Sequence, residues 1–233
     1  MQASAQTKST AHLNQVWSSY ANQTRFSGRW GMWFDLQLRT GENFVHNFST
    51  AIIRPGIIYY FSDNTRFTAG YAYVNHFAVD NQGISVPEHR PWLQLAWMTR
   101  YTKIRTSQWV RLEDRFRRKL AANGSELAPG YTQNYRFRYN LAVSVPLNSK
   151  SFQPKGWAFV VSDEVFINFG KEIVYNYFDQ NRFFTGFYYQ VNKTGNLQFG
   201  YLNVFSQTAA GNRFRSIHAL RIGYIHSLDL RKQ

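Results

Sequence analysis

The chain contains no cysteine. That absence excludes disulfides, thiol catalysis and cysteine-held metal sites at once. Acidic residues are scarce, 13 against 27 Lys and Arg, and charged residues make up only 17% of the 233. An ordinary soluble chain carries about 25%. No stretch approaches the roughly 18 uninterrupted apolar residues that a membrane helix needs. Mean hydropathy is −0.45, so a helical membrane protein is excluded. Low-complexity runs are missing too, and 44% hydrophobic residues rule out disorder. There is no P-loop and no dinucleotide fingerprint. His12, His46, His76 and His226 are scattered without metal-ligand spacing. No cofactor is expected.

What is abundant is aromatic and cationic. Phe, Tyr and Trp number 20, 15 and 7, and the net charge is +14. Eight of the 27 basic residues are Lys, which leaves nineteen Arg. A pI near 10.1 first suggests nucleic acid or an anionic surface. Yet the arginines recur inside periodic segments, on one side of nearly every one, and form no patch. A clustered footprint is what nucleic-acid binding requires, so nucleic acid is set aside as a partner.

The dominant period is two. Trp30, Met32, Phe34, Leu36 and Leu38 alternate with Arg29, Gly31, Trp33, Asp35, Gln37 and Arg39. Tyr135, Phe137, Tyr139, Leu141 and Val143 alternate in the same way with Arg136, Arg138 and Asn140. Successive side chains of a strand point to opposite faces, so each segment has one apolar and one polar face. Strands are predicted at 12–25, 29–40, 47–61, 65–79, 91–104, 108–120, 131–145, 156–169, 181–193, 196–207 and 213–229. Short polar turns fall at Ser27-Gly28, Ser62-Asp63-Asn64, Arg105-Thr106-Ser107 and Lys193-Thr194-Gly195. Longer loops fall at 80–90, 121–130 and 170–180. Short periplasmic turns alternating with longer extracellular loops mark an outer-membrane barrel. The strands also exceed the roughly 9–11 residues a tilted transmembrane strand needs.

The expected fold is therefore all-β: a transmembrane antiparallel up-and-down β-barrel forming one domain over 6–233. Eleven segments are counted. Single-chain bacterial barrels have even numbers, so about 12 strands is the first expectation and 10 the second. Ala3-Ser4-Ala5 reads as the end of a signal peptide, making 1–5 a remnant. Aromatics on the apolar face suit the girdles at a membrane interface, and polar residues with Gly70, Gly186, Gly200 and Gly223 suit a crowded lumen. A soluble barrel would reverse the two faces.

Several motifs point the same way. They include Glu88-His89-Arg90-Pro91-Trp92, Arg111-Leu112-Glu113-Asp114-Arg115-Phe116-Arg117 and Tyr135-Arg136-Phe137-Arg138-Tyr139-Asn140. Asp163-Glu164-Val165-Phe166-Ile167-Asn168-Phe169-Gly170-Lys171, Asn176-Tyr177-Phe178-Asp179-Gln180-Asn181-Arg182 and the closing Leu228-Asp229-Leu230-Arg231 complete the set. In order and spacing they resemble a family of Gram-negative outer-membrane barrels known as domain of unknown function twenty-four ninety. The resemblance implies fold and location. It carries no catalytic or binding residues.

The sharpest chemical feature is a basic wall. Arg111, Glu113, Arg115 and Arg117 share one face, Arg136 and Arg138 face them from the next strand, and Glu164 from the one after. Arg54, Arg66, Arg100 and Arg221 fall on lumen faces by the same parity. The expected acids are Asp35, Glu113 and Glu164, too few to pair one to one. Two readings stand side by side: a positive lumen that draws anionic solutes, or a narrow barrel filled by a polar network. Asp114, Arg118 and Asp163 fall on the other face. Ser216 and His218, at i and i+2, are geometrically able to form a rim dyad for lipid hydrolysis, although no orienting acid accompanies them. The expected partners are outer-membrane lipid, lipopolysaccharide and anionic solutes. The expected form is a monomer, or an accessory subunit of an envelope complex.

Overall fold

The computed structural model describes residues 7–78, 83–148 and 152–231. The expected signal remnant at 1–5 lies outside them. The described residues form a closed barrel of eleven strands with no helix. In chain order these are β1 (Ser9–Arg25), β2 (Trp30–Thr40), β3 (Phe48–Tyr60), β4 (Thr65–His76), β5 (Val86–Arg100) and β6 (Arg105–Leu120). They continue as β7 (Leu127–Pro146), β8 (Trp157–Phe169), β9 (Phe178–Gln190), β10 (Gly195–Gln207) and β11 (Arg213–Asp229).

The count is eleven, between the expected twelve and ten, and the odd number has a geometric consequence. Neighbouring strands alternate in direction, so the first and last of an odd set run the same way. β1 and β11 accordingly close the barrel as a parallel pair, in register from Ser9↔Arg213 to Arg25↔Asp229. Parallel ladders are slightly weaker per residue; here the seam runs the full 17 residues of both strands. The free edge of β1 above β2 is also covered. Phe44 N–H donates to Asn14 O at 3.0 Å, and Val16 N–H to Thr40 Oγ1 at 2.8 Å. Covering an edge in this way removes a template for pairing with another chain.

The two rims differ, as the turn chemistry predicts. One carries connections 26–29, 61–64, 101–104, 147–156 and 191–194; the other carries 41–47, 77–85, 121–126, 170–177 and 208–212. Four of the first five are four-residue turns, and 147–156 is the exception. Several boundaries move from their expected places by three to five residues, and two of these shifts bear on the interior and its rim. The β5–β6 turn is 101–104, so Arg105-Thr106-Ser107 is strand. β5 begins at Val86, so Glu88, His89 and Arg90 belong to a strand and not to a long loop. At the first rim Arg25 Nη1 donates to Asp63 Oδ1 at 2.6 Å, which holds the Asp63 carboxyl below its usual range.

The faces divide as the alternation requires. Trp30, Met32, Leu36 and Leu38 of β2, and Tyr135, Phe137 and Leu141 of β7, are exposed on the outside. Asp35, Arg136 and Arg138 are buried inside. Aromatic ladders run over the outer wall, for example Trp157–Tyr189 at 4.5 Å and Phe187–Phe199 at 5.9 Å between ring centroids. The interior, however, is not polar throughout. Trp17, Val160, Phe184, Leu202, Val204 and Ala219 form one buried apolar cluster, and Ile52, Ala72, Val74 and Trp92 form a second. A barrel of this size is filled by side chains, and part of that filling on β1 and on β8 to β11 is apolar.

Glycine makes room for the second cluster. Gly70 and Trp92 are register partners, and a Cβ on Gly70 would sit 2.6 Å from two Trp92 ring carbons and 2.5 Å from Pro55 O. Substituting Gly70→Val should therefore displace the indole or the backbone and lower stability by about 1–3 kcal/mol, the usual range for overpacking. Urea unfolding in detergent followed by Trp fluorescence measures this; an unchanged midpoint would contradict the packing described.

Candidate functional site: an arginine lattice in the barrel interior

The strands that carry the wall are adjacent, β5 through β9, so alternate residues bring their inward side chains together at neighbouring heights. Two carboxylates act as hubs. Glu113 on β6 accepts from Arg136 Nη2 at 2.5 Å and from Arg138 Nη1 at 2.5 Å, with Arg111 Nη1 3.7 Å away. Glu88 on β5 accepts from Arg90 Nε at 2.5 Å, Arg115 Nε at 2.6 Å and His76 Nε2, 2.9 Å away. Arg138 also donates to Glu164 Oε1 through Nε at 2.7 Å, and Arg136 Nη1 to Asp179 Oδ2 at 2.9 Å. Charge-assisted bonds of this kind are about twice as strong as neutral ones.

The seven residues picked from the sequence take the following places. Arg111, Glu113, Arg136, Arg138 and Glu164 are buried and joined through Glu113 and Arg138. Arg115 is nearly buried and bonds to Glu88. Arg117 is exposed and lines the cavity at the mouth. Of the other arginines placed inside by parity, Arg54 is buried, Arg66 and Arg221 line the inner cavity, and Arg100 is exposed at the rim.

Two acids were missed. Glu88 is fully buried, but its segment reads as a loop because Pro87 and Pro91 flank it. Asp179 is hidden for a different reason. The pairing slips between Phe166↔Gln180 and Ile167↔Phe178, leaving Asp179 as the extra residue of a β-bulge. A bulge re-aims a side chain, and this one turns Asp179 onto Arg136. Alternation alone carries no signal for it. Arg39, Arg90 and Arg182 are also interior groups that the wall as first drawn left out.

Aromatic rings support the cations from the apolar side. Arg39 lies 3.7 Å and Arg182 5.1 Å from the Trp17 ring. Arg138 and Arg182 lie 4.4 and 4.5 Å from Phe166, and Arg111 lies 4.5 Å from Trp92. Such contacts reach about 2 kcal/mol when desolvated.

The remaining space includes two cavities. An outer one of about 590 Å³ lies under 170–177 and 208–212, lined by Arg90, Arg115, Arg117, Arg136, Asp179 and Arg215 among others. An inner one of about 260 Å³ is lined by Trp17, Asp35, Arg54, Arg66, Arg111, Glu164 and Arg221 among others. Arg39 and Arg182 line both. Toward the short-turn rim, Tyr60 is buried, accepts from Gln23 Nε2 at 2.9 Å, and lies under Arg25. Among the described residues no group of His, Asp or Glu could hold a metal ion.

On the outer wall, Ser216 Oγ lies 3.4 Å from His218 Nε2, and His218 Nδ1 lies 2.6 Å from Tyr201 Oη. Asn203 Nδ2 donates to Ser216 Oγ at 3.3 Å. The residues on the unexpected face are partnered there. Asn181 Nδ2 donates to Asp163 at 2.9 Å, Gln133 Nε2 donates to Asp114 at 2.9 Å, and Arg118 lies over Tyr131.

The chain belongs to the family described as Protein of unknown function (DUF2490), whose model matches residues 14–215. No curated protein matches it. A solved structure titled "NanC porin structure in rhombohedral crystal form" is similar at 11% identity, covering 82% of this chain and 87% of that one, with a TM-score of 0.48. At those values the likeness carries no functional argument.

The lattice makes a stability prediction. Glu113→Gln leaves Arg136 and Arg138 short of their shared counter-charge, and breaking a buried pair on one side costs about 3–5 kcal/mol. Glu172→Gln at the exposed mouth should stay within about 0.5 kcal/mol, as surface changes do. Chemical unfolding of both variants in detergent compares them; equal effects would show that Glu113 is no hub.

Proposed function

We propose that this protein is a monomeric outer-membrane β-barrel, without enzymatic activity in its lumen, that provides a narrow route for small anionic solutes. The observation that carries the reading is the interior charge. Apart from the mouth-level Arg117, Arg215 and Glu172, the buried groups and cavity walls hold ten guanidinium groups, on Arg39, Arg54, Arg66, Arg90, Arg111, Arg115, Arg136, Arg138, Arg182 and Arg221. Against them stand five carboxylates, on Asp35, Glu88, Glu113, Glu164 and Asp179. A structural network alone needs no such excess, whereas rings of Arg and Lys select anions in pores. The exposed apolar outer wall supports a lipid surround. Bilayer phospholipid and lipopolysaccharide are then the partners of the outside, and the longer loops lie on the extracellular side.

Purified protein in planar bilayers should give anion-selective steps, and the double change Arg39→Gln with Arg182→Gln, at the junction of the two cavities, should bring the anion-to-cation permeability ratio toward one. Silent bilayers or cation selectivity would overturn the route.

A second reading rests on the outer-wall geometry. Ser216, His218, Tyr201 and Asn203 supply a nucleophile, a base, a group on its second nitrogen and an amide donor near the hydroxyl, the roles of an ester-hydrolysing set. Against it, Ser216 is 8% exposed beneath its neighbours. Fatty acid release from phospholipid vesicles by the wild type, abolished in His218→Ala, is what this reading requires. No release by the wild type ends it.

A further inference from the structure

The inner cavity has a property that the outer one lacks. Three of the arginines that line it each carry a buried guanidinium nitrogen without a hydrogen-bond acceptor: Arg39 Nε, Arg54 Nε and Arg111 Nη1. Arg54 and Arg111 are themselves more than nine-tenths buried. Their carboxylate contacts are loose: Asp35 Oδ2 lies 3.4 Å from Arg54 Nε in poor alignment, and Glu113 Oε1 lies 3.7 Å from Arg111 Nη1. A buried donor left unmade costs about 1–3 kcal/mol, and more when charged. Arg cannot escape that cost by losing its proton. Three such donors around one small space point to an acceptor that belongs there.

The remaining contacts say what kind. A planar carboxylate is best met by the two parallel N–H groups of a single guanidinium fork. Two of the forks nearby are already used: Arg111 Nε and Nη2 both donate to Gln94 Oε1, and Arg138 Nε and Nη2 both donate to Glu164 Oε1. The buried donors left without an acceptor on the arginines of this cavity are one N–H from each of three, on β2, β3 and β6. Single donors from separate walls suit an anion whose oxygens point in several directions. Charge agrees, because seven guanidinium groups line the cavity against Asp35 and Glu164. Size agrees as well, since about 260 Å³ is below the roughly 300–1,000 Å³ of drug-sized ligand sites.

We infer that the inner cavity is a binding seat for a tetrahedral oxoanion of the phosphate or sulfate class, held by Arg39 Nε, Arg54 Nε and Arg111 Nη1. This deepens the reading of the interior as a place for anions. The seat is a stationary site, so its occupancy saturates and is distinguishable from conduction.

The test is thermal unfolding of the detergent-solubilised full chain, titrated with inorganic phosphate, sulfate, acetate or chloride at matched ionic strength. Phosphate and sulfate should raise Tm along a saturable curve, and acetate and chloride should not. Arg54→Lys keeps the positive charge and removes the Nε–H; it should raise the half-saturating phosphate concentration about tenfold, as expected for one charge-assisted bond. Arg39→Lys should do the same, so the test survives if one variant fails to fold. Equal stabilisation by acetate, no saturable shift with any anion, or unchanged half-saturation in both variants would overturn the seat. Anion-selective currents without a saturable phosphate shift would overturn the seat and leave the route standing. A saturable shift in a protein that carries no current would overturn the route and support the seat.

Discussion

A guanidinium group remains charged at any pH a cell meets, so an arginine turned into a closed barrel must be answered by a carboxylate, an aromatic face or a bound anion. Most of the interior follows from that constraint. Carboxylates are scarce in this chain, and they are shared: Glu113 serves Arg136 and Arg138, and Glu88 serves Arg90 and Arg115. Aromatic faces come next, with Trp17 under Arg39 and Phe166 under Arg138 and Arg182. The buried guanidinium N–H groups that still lack an acceptor are on Arg39, Arg54 and Arg111, which line the inner cavity, and on Arg105.

The distribution is lopsided around the barrel. The acid hubs lie on β5 to β9, where Arg and Glu meet across adjacent strands. β10, β11 and the facing part of β1 bring apolar groups inward, including Leu202, Val204, Ala219 and Trp17. A charged wall opposite an apolar wall leaves guanidinium groups that span the space between them without carboxylate partners on the far side. Arg182 shows this: it reaches Phe166 and Trp17 and lines both cavities. The interior is therefore both filled in part and left with more guanidinium groups than carboxylates.

Closure rests on a separate device. Eleven alternating strands can meet only as a parallel pair, and the β1–β11 seam meets that requirement with its length. The polar groups His12, Ser216 and His218 sit on the outside of this seam, with His12 and His218 stacked at 5.9 Å between ring centroids.

The amino-acid order by itself determined the strand class, the rim asymmetry and which face of β2, β6 and β7 carries charge. All of these depend on a two-residue period and on local turn chemistry, and both are properties of neighbours in the chain. Tertiary structure decided the rest. The strand count depends on how the ends meet. Asp179 faces inward only because β8 and β9 slip past each other by one residue. Glu88 is a hub only because β5 extends past Pro87 and Pro91 to Val86. The unanswered N–H groups of Arg39, Arg54 and Arg111 come from strands distant in sequence, and whether a donor finds an acceptor is settled in space.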